Sequence, residues 1–265
     1  NIAAAHIERL GSLHGIAETK GAIYEALPDD GIAVVNADDA FAPYFMQRIG
    51  ARRVLRYGIE NDADVRARDV RLDAAGSHFV LLTPAGRAEI RLPLPGRHAV
   101  ANALAAAAMA LAAGAGFDAI VAGLQGAEAV KGRQVAHALA NGNVLVDDSY
   151  NANPGSLAAA IATLAGVGEA WLVLGDMREL GPEGPALHAE AGRQARAAGL
   201  KRVWTVGALA GEASAAFGEG GRHFDSRESL VHALREAIAG ASGVRCLVKG
   251  SRGSAMDVVV AGLLA

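Results

Sequence analysis

Cysteine is almost missing from this chain: of 265 residues only Cys246 carries a thiol. One cysteine excludes a disulfide framework and a thiolate metal site, and it fits a reducing, cytoplasmic setting. An excess of one charge is missing too. The 25 Lys and Arg against 28 Asp and Glu leave a net charge of -3 with no dense basic cluster, so neither nucleic acid nor an anionic membrane is indicated as a partner. Long, strongly apolar runs are absent. The alanine-rich stretch from Ala99 to Ala115 comes nearest, but His98 and Asn102 stand at its start and alanine is weakly hydrophobic, so it reads as a buried helix of a soluble fold. No secretory signal is present. No Gly-x-x-x-x-Gly-Lys-[Ser/Thr] occurs in these residues, which excludes a phosphate-binding loop of that kind from them.

What is present is ample apolar content, 52%, and enough length for two domains at roughly 150 residues each. From Ser12 to Leu27 the residues Leu13, Ile16, Ala17, Ile23, Tyr24 and Leu27 recur at helical spacing and predict one buried stripe, with Lys20 on it. A strand at Ile32 to Val35 ends in Asn36-Ala37-Asp38-Asp39, followed by a helix from Phe41 to Ile49 and a strand from Val54 to Ile59. Alternation from Val65 to Leu94, broken at Asp73-Ala74-Ala75-Gly76 and Pro84-Ala85-Gly86, predicts antiparallel hairpins with one wet face. Two helices follow, near Ala99 to Ala113 and Asp118 to Gly123. The pattern changes near Lys131-Gly132, which divides the chain into residues 1–131 and 132–265. Beyond it strands at Val144 to Val146, Trp171 to Leu174, Val203 to Val206 and Cys246 to Val248 alternate with helices. This is the signature of a doubly wound, Rossmann-like α/β sheet whose strand ends share one edge.

The richest of those ends is Asp147-Asp148-Ser149-Tyr150-Asn151-Ala152-Asn153-Pro154-Gly155-Ser156. Loops at the carboxyl ends of parallel strands line the binding crevice, whereas capping the next helix needs only one such side chain, and Asn153 before Pro154 suffices for that. Lys249-Gly250-Ser251-Arg252 combines a strand end, a permissive glycine, a potential N-cap serine and two cations, which suits a carboxylate or phosphate. Asp176, in Leu174-Gly175-Asp176-Met177-Arg178, either contacts a ligand, caps, or pairs with Arg178. Lys20 on a buried stripe must snorkel, which is the commoner fate, gain a partner, or lose its proton; a neutral amine can take up carbon dioxide to give a carbamate suited to Mg²⁺. His6, just ahead of that helix, is a cap, a surface residue or a metal ligand. His98 and Asn102, four residues apart on one helix face, satisfy local backbone or read an adenine edge. Arg133, at the proposed boundary, is a solvated surface residue or a phosphate ligand acting on closure.

Taken in order, Asn1 to Glu8, Gly15 to Gly21 around Lys20, Val35 to Asp39, Gly96-Arg97-His98 with Asn102, Gly132-Arg133, Asp147 to Ser156, Leu174 to Gly181 and Lys249 to Arg252 resemble the Mur ligase family along nearly the whole chain. The spelling of the Asp147 to Ser156 turn, with Leu174 to Gly181 and Lys249 to Arg252, is similar to the branch that joins D-alanyl-D-alanine to UDP-N-acetylmuramoyl-tripeptide. The resemblance implies a cytoplasmic, monomeric, ATP-dependent ligase of peptidoglycan precursor synthesis. In it the substrate carboxylate attacks the γ-phosphate of ATP, Mg²⁺ offsets the charge, and the acceptor amine attacks the acyl phosphate. It would make His6 a Mg²⁺ ligand and Lys20 the carbamate, place Asn102 and His98 near the adenine, bring Arg133 to the ATP phosphates, Asp148 to the ribose, and Tyr150 with Asn151 to the nucleotide or the reacting groups. Lys249, Ser251 and Arg252 would line the peptide-substrate side.

The family's phosphate loop, a further metal-binding acid and the UDP-binding domain lie upstream of the segment matching Asn1. The chain therefore reads as the second half of a central ATPase domain, residues 1–131, joined to a C-terminal Rossmann-like domain, residues 132–265, and inactive by itself. The alternatives are a related amide ligase with another acceptor and a non-catalytic nucleotide-binding module.

Overall fold

The computed structural model describes residues 1–3, 7–73 and 75–265. These residues form two compact units, one of residues 1–2 and 13–128, the other of the described part of 3–12 and residues 129–265. α1 is a single turn, Ile7–Leu10, and α2 spans Leu13–Glu25. The first unit continues with β1 (Ile32–Asn36), α3 (Ala42–Ile49), β2 (Arg53–Gly58), β3 (Val65–Leu72), β4 (Ser77–Thr83), β5 (Gly86–Leu92), α4 (Arg97–Ala112) and α5 (Phe117–Gln125). Its five strands lie in chain order, the first three parallel and the last three antiparallel. The alanine-rich α4 buries Ala99, Val100, Ala103, Leu104, Ala107 and Ala108 against Val65, Ala67, Phe79, Leu81 and Ile90 of the sheet, while Met109 stays exposed. Small side chains let the helix approach closely, which accounts for the composition of this stretch without any lipid.

The second unit holds β6 (Val135–Ala138), β7 (Val144–Asp148), α6 (Pro154–Leu164), β8 (Glu169–Gly175), α7 (Gly184–Ala197), β9 (Arg202–Val206), α8 (Gly211–Phe217), β10 (Gly221–Phe224), α9 (Arg227–Ala239), β11 (Val244–Lys249) and α10 (Met256–Leu264). The sheet order is β10-β9-β8-β11-β7-β6, parallel except for β6. Alternate residues of β8 serve opposite faces: Ala170, Leu172 and Leu174 pack with α6, α7 and α8, and Trp171 and Val173 pack with α9 and α10. β11 is inserted between β7 and β8, so the connections reverse direction there, and the carboxyl ends of these three strands adjoin at the switch point where such sheets bind ligands. Cys246 lies inside β11, and burial pushes its thiol up to about 12, leaving it protonated and inert.

Three expectations from the sequence change. The stripe on α2 runs through Ile16, Ala17 and Gly21; Leu13 and Ile23 are 42% and 66% exposed, and Lys20 is exposed rather than buried. Lys20 lies between Ile16 and Ala17 on the helix circumference, so the spacing does place it on the stripe, but its own position stays exposed while Ile16, Ala17 and Gly21 pack. β6 and β10 were missed because both are four-residue edge strands with mixed polarity. Ser251 does not cap a helix: a 3-10 turn, Arg252–Ser254, intervenes, and α10 begins after Ala255, whose φ is 49°.

α7 and α8 meet at a glycine. A β-carbon on Gly192 would stand 2.1 Å from the carbonyl oxygen of Ala213, a backbone atom that cannot rotate away. Gly192→Ala should therefore destabilise the second unit by about 2 kcal/mol, an overpacking cost of up to ~3 less the ~1 gained in helix propensity. Trp171 and Trp204 are the chain's two tryptophans and both belong to this unit, so urea unfolding followed by tryptophan fluorescence reads it directly. An unchanged or raised midpoint would contradict the close approach.

Candidate functional site

The register of the parallel pair β7 and β11 sets Asp148 opposite Lys249. Their side chains are 11% and 4% exposed, and Lys249 Nζ donates to Asp148 Oδ2 at 2.7 Å. Lys249 Nζ also donates to the Asn151 carbonyl at 2.9 Å, and Gln134 Nε2 donates to the same Asp148 oxygen at 2.9 Å. A buried ion pair persists only when its remaining hydrogen-bonding capacity is used, and Gln134 and the Asn151 carbonyl supply those partners. Lys249 thus faces inward and braces the turn after β7; the second cation of its segment, Arg252, is the exposed one.

The turn is built by short local bonds. Asp147 Oδ1 accepts from the amide of Ser149 at 3.1 Å and from its hydroxyl at 2.6 Å. Asn153 caps α6 through a reciprocal box with Ser156, as the capping alternative anticipated. Tyr150, between them, is 41% exposed, and the guanidinium carbons of Arg133 and Arg252 lie 4.4 and 5.3 Å from its ring centroid. Gly132 reaches this turn with φ of +75°; its carbonyl accepts from the Tyr150 amide at 3.0 Å, and a β-carbon would meet Tyr150 at 3.2 Å.

The loop after β8 forms a second wall. The Met177 amide donates to His188 Nε2 at 2.9 Å, so the proton sits on Nδ1 and is donated to the Gly184 carbonyl at 2.7 Å. This fully buried imidazole fixes the loop. Asp176 is not a ligand group here, nor is it Arg178's partner: its oxygens accept the amides of Ala208, Leu209 and Ala210 at 3.0, 2.9 and 2.8 Å. Ser251 Oγ donates to the Ala152 carbonyl at 3.2 Å and accepts the Arg178 amide at 2.8 Å, which ties the three strand ends together. Between them lies a cavity of about 220 Å³ lined by Asn151, Asn153, Arg178, Glu179, Ser251 and Arg252, among others. Two guanidinium groups and two amides, set against the single carboxylate of Glu179, give this volume a cationic balance that suits a small carboxylate-bearing ligand. Gln134, Arg178 and His188 were missed as site residues. Gln134 next to Arg133 and Arg178 next to Asp176 were within reach of the same motifs, whereas nothing local marks His188.

In the first unit Lys20 Nζ donates to the Asn1 carbonyl at 2.8 Å, and Asn36 Nδ2 to the Asn1 side chain at 2.6 Å, so helix α2 and the end of β1 converge on Asn1. Asp38 accepts the amides of Ile59, Glu60 and Asn61, fixing the turn after β2. His98 and Asn102 share the first turns of α4, half-buried and exposed respectively. His6 lies outside the described residues. Among the described residues no three His, Cys, Asp or Glu side chains gather as a metal site. A cavity of about 630 Å³ lies at the opposite, amino ends of β9 and β10, lined by Arg196, Lys201, Arg202 and Arg222. Arg196 donates to the last carbonyl of α8, that of Phe217, so this charge answers helix C-termini.

A parallel sheet with polar turns gathered at its switch point, preceded by a separate mixed sheet, defines an α/β protein of the ligand-binding, two-unit kind. Residues 1–110 match the Mur ligase middle domain, and residues 132–252 match the Mur ligase, glutamate ligase domain. The chain belongs to the Mur ligase family. It is 45% identical to the UDP-N-acetylmuramoyl-tripeptide--D-alanyl-D-alanine ligase of Escherichia coli (strain K12), covering 99% of this chain and 58% of that protein. It is 36% identical to the ligase of the same name from Haemophilus influenzae, covering 98% and 57%. A crystal structure of MurF from Acinetobacter baumannii superposes with a TM-score of 0.91 at 32% identity, over 100% of this chain and 58% of that one. The chain thus spans just under three-fifths of the length of these relatives.

The buried pair gives a direct test. Lys249→Met leaves Asp148 charged, buried and held by Gln134 alone, which should cost about 3–5 kcal/mol in urea unfolding read by tryptophan fluorescence. A loss under about 1 kcal/mol, the value of an exposed pair, would show that Asp148 does not depend on Lys249.

Proposed function

We propose that this chain is the nucleotide-closing and acceptor-binding part of an ATP-dependent ligase that joins D-alanyl-D-alanine to UDP-N-acetylmuramoyl-tripeptide through an acyl phosphate. One observation carries the reading: the Asp147 to Ser156 turn lines, with Arg178, Ser251 and Arg252, a cavity of dipeptide scale at the carboxyl ends of β7, β8 and β11. The names of the relatives at 45% and 36% identity support it. Arg178 and Arg252 would hold the acceptor's carboxylate, with Ser251 fixing the backbone between them. Arg133 would meet the ATP phosphates, Asp148 the ribose and Asn151 the reacting groups, while Lys249 acts from behind by bracing Asp148 and the Asn151 carbonyl. Asn102 and His98 would lie by the adenine.

ATP is the phosphoryl donor in this reading and Mg²⁺ its companion ion. Among the described residues no three His, Cys, Asp or Glu side chains gather to hold that ion. His6 and the Lys20 carbamate rest on the family resemblance alone; Lys20 is exposed, and its Nζ donates to the Asn1 carbonyl at 2.8 Å, a bond that carbamoylation would have to break.

The test uses the full-length protein, ATP and UDP-N-acetylmuramoyl-tripeptide, with phosphate release as the readout. Stimulation by D-alanyl-D-alanine is expected; stimulation only by a single free amino acid, or none by any acceptor, would overturn the reading. Lys20→Ala should abolish most activity, and short carboxylic acids in the buffer should partly restore it. Full activity in that variant would remove the carbamate from the scheme.

A further inference from the structure

Tyr150 is a large aromatic that is not packed into a core, and it stands at the meeting of three chain segments. Its amide is bonded to Gly132, the residue before Arg133, and Gly132 lies so close that only glycine, at φ of +75°, fits without displacing the tyrosine. The Arg133 amide in turn donates to the Val130 carbonyl at 2.9 Å, closing the turn that carries it. The backbone of Arg133 is therefore registered to Tyr150 before its side chain is considered. Arg252 arrives from the other side of the sheet's switch point, next to Ser251, which is locked to Ala152 and Arg178. Both guanidinium groups lie over the one ring. Among the described residues neither is in an ion pair with a carboxylate, and stacking engages the face of a guanidinium while leaving its in-plane N–H donors free for an anion.

We infer that Tyr150 is a positioning residue whose ring, and not its hydroxyl, presets Arg133 and Arg252 relative to each other. The inference rests on the ligase reading, in which Arg133 meets the nucleotide's phosphates and Arg252 the peptide side. A flexible arginine loses rotamer freedom when it engages a phosphate; one already held over the ring has lost it beforehand, and because the contact of Arg133 with the transferring phosphoryl group tightens as the transition state forms, the gain is read in kcat. The ring also fixes the spacing of two cations that repel each other until an anion arrives, which makes it a coupling point between the two substrates. A tyrosine that instead stacked on the nucleotide base would act on ATP affinity.

In the full-length protein, Tyr150→Leu should lower kcat about tenfold with KM for ATP changed less than threefold, and Tyr150→Phe should restore kcat to within about twofold of wild type. Arg133→Met should be severely impaired, and adding Tyr150→Leu to it should remove little more. Selective ¹⁵N labelling of arginine gives a readout independent of turnover: the Arg133 Nε–H resonance should be shifted by the ring current in wild type and in Tyr150→Phe, and return to the flexible-arginine position in Tyr150→Leu, other resonances staying in place. Three outcomes would overturn the inference: a Tyr150→Phe loss as large as that of Tyr150→Leu, a rise in KM for ATP without a fall in kcat, or losses that multiply in the double variant. If wild type fails to ligate but the Arg133 resonance behaves as stated, the ligase reading has failed and the arginine stack has not.

Discussion

The second unit is organised around one buried ion pair. Asp148 and Lys249 are 101 residues apart in sequence yet face each other across adjacent strands, and each charge would be untenable in that place without the other. Because Lys249 also grips the Asn151 carbonyl, and Gln134 the carboxylate, the pair fixes the turn after β7 and the strand leading from Arg133. Tyr150 and Asn151 can stand exposed at the sheet edge because Asp148, two residues before Tyr150, and the Asn151 carbonyl are both anchored by Lys249. The energetic burden of the site falls on Lys249 and on one carboxylate oxygen of Asp148, and the exposed groups beside them are free for chemistry because of it.

That division explains what the sequence could disclose. A strand delivering Asp147-Asp148 to a turn full of amides is visible locally, since the apolar run and the polar cluster adjoin in the chain, and the Rossmann-like alternation follows from strand and helix periods. The family resemblance rested on the same stretches. The separation of roles within Lys249-Gly250-Ser251-Arg252 is not visible: two cations three residues apart look alike, and only the register with β7 turns one inward. Ser251 reads as a helix cap in sequence because the 3-10 turn and the positive φ of Ala255 leave no trace in residue type. His188 is eleven residues from Met177 and its function is the far end of a helix turn, so no motif announces it. Lys20 shows the limit of periodicity: it falls on the arc between Ile16 and Ala17, yet it is exposed and its amine donates to the Asn1 carbonyl.

The loop after β8 shows how a carboxylate can be prominent in sequence and structural in use. Asp176 takes three successive amides at the start of α8, and Asp38 does the same for the turn after β2 in the first unit. Both sit at strand ends, where ligand-binding acids are expected, and both are spent on backbone. An acid at the carboxyl edge of a sheet is informative about ligands only once its local amides have been counted.

The insertion of β11 between β7 and β8 also has a kinetic side. Until the last part of this sheet's chain has been made, β7 and β8 have no common neighbour, and two half-sheets leave unpaired strand edges that β11 later joins. Non-local strand pairing of this kind is slow because its loop entropy is lost before contacts are gained. The ion pair cannot form before β11 arrives, so Asp148 stays hydrated until the sheet closes. Assembly of the ligand edge and completion of the core are thus one event, and a nascent chain has no half-built site with which to bind.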